Sequence, residues 1–127
     1  MREAAKHWAE QSEYDLDTAR AMLASNGYLY VLFCCQQAVE KALKAIIVSR
    51  TATLPPRIHN LVRLAEAAGI VKPVERTHFL GELSAYYIQS RYPEDIRGLA
   101  STVTREMAGE TLASTEEMIS WLLSMIE

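Results

Sequence analysis

Phe33–Val48 reads FCCQQAVEKALKAIIV, two adjacent cysteines followed by an apolar run broken by glutamine, glutamate and lysine. Wound at about 100° per residue, the pattern divides into two sides. Tyr28, Val31, Leu32, Cys35, Ala38, Val39, Ala42, Leu43, Ala45 and Ile46 fall on one, and Gln36, Gln37, Glu40, Lys41 and Lys44 on the other. Ala, Leu, Lys, Glu and Gln favour helix, no residue in the stretch breaks one, and Glu40–Lys44 is a favourable (i, i+4) pair. The stretch is an amphipathic helix with a dry side and a wet side. Ala38, Ala42 and Ala45 form a small-residue stripe that lets a second helix approach closely. Cys34 and Cys35 point about 100° apart and have no histidine or carboxylate at metal-ligand spacing, so they are read as reduced core residues.

Working outward, the chain has 127 residues, half of them apolar and 23% charged, with a formal net charge of −3. One domain over residues 1–127 with a real hydrophobic core is expected. The negative balance argues against a broad basic surface for nucleic acid, although nine arginines can still build a local cationic pocket. No apolar run approaches the roughly 18 to 20 residues of a membrane span, and the N-terminal stretch lacks a secretory pattern, so a cytoplasmic location is expected. Adjacent cysteines are neither a disulfide framework nor a CxxC motif.

Helical spacing predicts a first helix over Ala4–Ala24 and a second over Tyr28–Arg50, separated by SNG and ended by TATLPP. A short helix is expected near His59–Ala68. A fourth helix should run from Pro73 to about Gln89, and a last one from about Ser101 to Ile126, with SRYPEDIRG between them. No segment alternates with period two. The fold class is therefore all-α, an up-and-down four-helix bundle with an additional short helix.

Three stretches, FCCQQAVEKALKA, PPRIHNL and YYIQSRYPED, in this order within one all-helical chain, resemble the HEPN family, named for nucleotide binding in higher eukaryotes and prokaryotes. The likeness extends from Trp8 and YDLDTA to the last helix. It implies a helical bundle, commonly a homodimer, and often a toxin–antitoxin pairing with a minimal nucleotidyltransferase. Active members are metal-independent endoribonucleases with an Arg-x4-6-His motif near the start of the last long helix; others lack it and act as nucleotide-binding or accessory proteins. Here no histidine follows Arg91 after four to six intervening residues, and none follows Arg57 at that spacing. Arg2 and His7 have the spacing but lie on the first helix, away from the family's active site.

Candidate ligand-binding residues are Arg57 and His59 after the double proline, Arg91 and Tyr92 between helices, and Lys41 and Lys44 on the second helix. Arginine suits phosphate, tyrosine suits base stacking, and histidine bonds a base, ribose or phosphate. Each has a structural alternative. His59 caps the next helix and Arg57 is solvated; Arg91 pairs with Glu94 or Asp95 and Tyr92 packs on the bundle; Lys41 and Lys44 line a solvated face. Asp15 and Asp17 are too isolated for a metal or paired-carboxylate site, and neither a phosphate-binding glycine loop nor a nucleophile motif is present, so no cofactor or metal is expected. The leading expectation is a dimeric nucleotide- or RNA-binding protein, partner of a nucleotidyltransferase. A ribonuclease using Arg91 with His59 and a non-catalytic dimeric interaction module are the alternatives.

Overall fold

A computed structural model describes residues 2–126. The elements in order are α1 (Glu3–Ala24), α2 (Tyr28–Thr51), α3 (Leu61–Ala67), α4 (Val74–Ser84), a 3-10 turn (Ile88–Ser90), α5 (Pro93–Ala100) and α6 (Arg105–Leu123). Among the described residues there is no strand, and no helix is long and apolar enough to cross a membrane. The expected helical bundle is present, with α5 as one more short helix than the periodicity predicts.

The turn between α1 and α2 is short because Asn26 adopts a left-handed conformation (φ 65°) and the Gly27 N–H closes back on the Met22 carbonyl at 2.8 Å. The two helices then run antiparallel. Ser12 donates to the Ala38 carbonyl at 2.7 Å, and Arg2 donates to the Ser49 carbonyl at 3.3 Å. The Ser12 bond requires close helix approach, which the Ala38, Ala42 and Ala45 stripe allows; all three are fully buried. α2 is the hub of the molecule and packs against α1, α3, α4, α5 and α6.

α2 ends at Ala52, whose left-handed backbone (φ 58°) closes the Val48 carbonyl before the double proline. α3 begins later than expected because Asn60 is its N-cap, accepting from the Arg63 N–H at 3.0 Å. α4 stops at Ser84 instead of continuing to Gln89. The Ser84 hydroxyl donates to the Leu80 carbonyl and accepts the Leu61 N–H, which ties the end of α4 to the start of α3. Pro93 opens α5, with Glu94 and Asp95 in its first turn, where acidic residues complement the helix dipole. Thr104 caps α6 by accepting the Met107 N–H at 3.1 Å.

Most buried apolar side chains form one core along α2, including Leu16, Val31, Leu43, Ile46, Leu64, Leu83, Leu112 and Ile119. A smaller cluster of Leu29, Leu32, Ile88 and Val103 anchors the turn after α4. Cys35 lies in the main core and Cys34 is half-buried against it. Burial pushes their thiols up, to about 11 for Cys34 and about 12 for Cys35. Because the thiolate is the reactive species, both cysteines are expected to resist iodoacetamide at pH 8 in the folded protein and to react readily in denaturant. Mass spectrometry of the labelled chain measures this.

Candidate functional site

The polar stripe of α2 does not face water. Gln36, Glu40 and Lys44 are buried, which overturns the expectation of a solvated lysine face. The Lys44 side chain is 8% exposed and donates to the Glu40 carboxylate at 3.1 Å, while the Glu40 side chain is 3% exposed. Charges so placed must be paired, since an isolated buried charge is strongly penalised. Lys44 Nζ also sits 5.5 Å from the centre of the Trp8 ring, a cation–π contact contributed by α1.

The same stripe continues along α2. Lys41 pairs with Asp15 of α1 at 3.0 Å and reaches Gln37 at 3.4 Å. Gln37 donates to Gln36 at 2.7 Å, and Gln36 donates to Glu40 at 3.1 Å and to the His59 backbone carbonyl at 3.1 Å. The ladder therefore runs from Asp15 to the loop ahead of α3. There His59 Nδ1 meets Glu40 Oε1 at 3.0 Å.

His59 is the outlet of this ladder. Its side chain remains 43% exposed, and Tyr87 stacks on its ring with centroids 3.8 Å apart and planes 10° apart. Tyr87 is carried there by the early end of α4, and Phe33 of α2 leans against its ring at 6.2 Å. His59, Asn60, Ser84, Ala85, Tyr87 and Arg91 line one open cleft of about 520 Å³. Arg91 donates to the Ala85 carbonyl at 2.8 Å. That bond orients the guanidinium and leaves its other N–H groups for an anion. Among the described residues it has no carboxylate partner, so the alternative of a pairing with Glu94 or Asp95 is not met.

The structure thus brings His59 and Arg91 together, although they are remote in sequence. It does not bring the two lysines into the cleft as phosphate ligands, because their ammonium groups are taken by Glu40 and Asp15. Arg57 is exposed on the loop before the cleft and does not line it. Tyr92 is 75% exposed, not packed on the bundle, and stands next to the cleft without lining it. Asp17 pairs with Arg20 within α1 at 2.7 Å, and Arg20 extends to Glu116 of α6 at 2.8 Å. Glu40, Gln36 and Tyr87 are the site residues that sequence reasoning missed. The one available signal was a Gln–Glu–Lys stripe on the chain's most apolar long helix. Among the described residues, no group of three or more His, Cys, Asp or Glu side chains could hold a metal ion.

The molecule is thus an all-helical bundle with a polar ladder that opens on a cleft between α3 and the end of α4. The sequence model of the HEPN domain matches residues 5–125, and the chain belongs to the HEPN family. Among solved structures it is similar to TT1696 from Thermus thermophilus, at 25% identity and a TM-score of 0.83, covering 97% of this chain and 98% of the other. It also shares the fold of ST0689, an archaeal HEPN homologue, at 21% identity and a TM-score of 0.79 over 100% of both chains. No curated protein matches the sequence.

Proposed function

We propose that this HEPN protein binds a nucleotide or short RNA in the cleft formed by His59, Tyr87 and Arg91, as a homodimer working beside a nucleotidyltransferase partner. One observation carries the binding assignment: a guanidinium oriented by a backbone carbonyl shares an open cleft with a stacked pair of rings. A guanidinium takes phosphate through forked charged hydrogen bonds, and flat rings beside it suit a base or ribose. Titration of a fluorescent single-stranded RNA and of adenosine monophosphate tests this. Arg91→Ala is expected to weaken binding by about 1 to 3 kcal/mol, the range for a hydrogen bond to a charged group. Unchanged affinity in the folded variant would remove the cleft from consideration.

The pairing with a second copy and with a nucleotidyltransferase rests on family resemblance. A dimer mass in sedimentation at tens of micromolar is the expected result for the first. Copurification with the product of an adjacent gene encoding a nucleotidyltransferase Gly-Ser motif is expected for the second.

The contact between Glu40 and His59 favours a second reading, metal-independent RNA cleavage, since a carboxylate-oriented imidazole suits a general base. The binding reading expects little or no cleavage of total RNA without metal. Robust cleavage by the wild type, abolished in folded Arg91→Ala and His59→Ala variants, would replace binding by catalysis.

A further inference from the structure

The buried ladder bears on which atom of His59 meets the ligand. The Glu40 carboxylate accepts from Lys44 Nζ at 3.1 Å and from Gln36 Nε2 at 3.1 Å, and lies 3.0 Å from His59 Nδ1. The Lys44 ammonium supplies the counter-charge to this carboxylate. A carboxylate at that distance is met by an N–H and not by a lone pair, which puts the proton of a neutral His59 on Nδ1. Nε2 is then an acceptor. It has no protein partner among the described residues, and its ring lines the cleft. Tyr87 against one ring face and Gln36 on the His59 backbone carbonyl both restrict reorientation of the imidazole.

We infer that Gln36, Glu40 and Lys44 are positioning residues that hold His59 as its Nδ1–H tautomer, so that Nε2 accepts a hydrogen bond from the ribose 2′-hydroxyl of the bound nucleotide. This rests on the cleft's binding a nucleotide at all. A neutral imidazole presenting only a lone pair cannot serve a phosphate oxygen, which also only accepts; it needs a donor. Arg91 in the same cleft is the group suited to phosphate. In an RNA strand the hydroxyl donor beside the 3′-phosphate is the ribose 2′-hydroxyl, and that hydroxyl separates RNA from DNA. The ladder thereby makes the cleft selective for ribonucleotides through a group that never touches the ligand.

The test compares three oligoadenylates of equal length at pH 8: ribose, deoxyribose and 2′-O-methyl. Loss of one hydrogen bond predicts about threefold to tenfold weaker binding of the deoxyribose form. The 2′-O-methyl form, which accepts but cannot donate, should bind like the deoxyribose form. In parallel, ¹⁵N–¹H correlation of the imidazole in the wild type should show the Nδ1–H tautomer, the less common one for free histidine. The neutral double variant Glu40→Gln with Lys44→Met, confirmed folded by circular dichroism, should lose the ribose preference and show mixed tautomers. A wild-type spectrum with the proton on Nε2, or equal binding of the ribose and 2′-O-methyl forms, would overturn the assignment. Failure of all three oligonucleotides to bind would overturn the cleft reading and the ribose assignment together, while the spectrum still decides whether Glu40 positions the ring.

Discussion

Changing Lys44 to methionine with Glu40 left in place is expected to lower stability by about 3 to 5 kcal/mol, because it strands a carboxylate inside the protein. The Glu40 side chain is only 3% exposed, and Lys44 is its ammonium partner. The Gln36 bond and the His59 contact remain in the variant, but neither supplies a fixed charge of the opposite sign. Adding Glu40→Gln to the same chain should recover most of the loss, since a buried pair replaced by neutral groups of similar volume is often close to neutral in stability. Urea denaturation of both variants at one protein concentration measures the difference; a fixed concentration matters if the chain dimerises. Equal stability of the single and double variants would show that Glu40 carries no uncompensated charge when Lys44 is lost.

Leu43→Ala is the other large effect, expected at about 2 to 5 kcal/mol. Leu43 is fully buried on the helix that packs against every other helix. Neighbours on several sides cannot all move inward to fill the space, so the cavity term adds to the lost transfer energy. The urea midpoint should fall while circular dichroism of the folded state stays helical. A loss below about 1 kcal/mol would mean that the core around α2 collapses freely, against the close packing of protein interiors.

The long helices were legible in the sequence because apolar periodicity over α1 and α2 is strong and SNG and TATLPP are clear stops. The caps were not legible: periodicity starts the last helix near Ser101 and offers His59 as the cap of α3, whereas Thr104 and Asn60, both ordinary N-cap residues, do the capping. The end of α4 was not legible. AYYIQS continues an apolar spacing, and only the Ser84 hydroxyl, engaged with α3, shows why the helix stops there.

The candidate site was legible in its residue types and not in its arrangement. Arg91 and His59 stand out in the sequence by their chemistry, and the fold puts them on one cleft. The α2 stripe misled because Gln, Glu and Lys at helical spacing look the same whether they meet water or each other. The groups that decide the matter, Asp15, Trp8 and His59, lie on other segments, and sequence spacing says nothing of contacts made across a bundle.

The position of α2 as hub also bears on the order in which the molecule assembles. α1 and α2 are neighbours in the chain, so their pairing closes a short loop, and the contacts between Asp15 and Lys41 and between Trp8 and Lys44 belong to that local event. α6 must return to α2 across the whole of residues 52–104, a costlier closure. The cleft draws His59, Tyr87 and Arg91 from that intervening chain, while the carboxylate that steadies His59 belongs to the α1–α2 pair. Loop-closure cost alone therefore orders the cleft-forming segment after the α1–α2 hairpin.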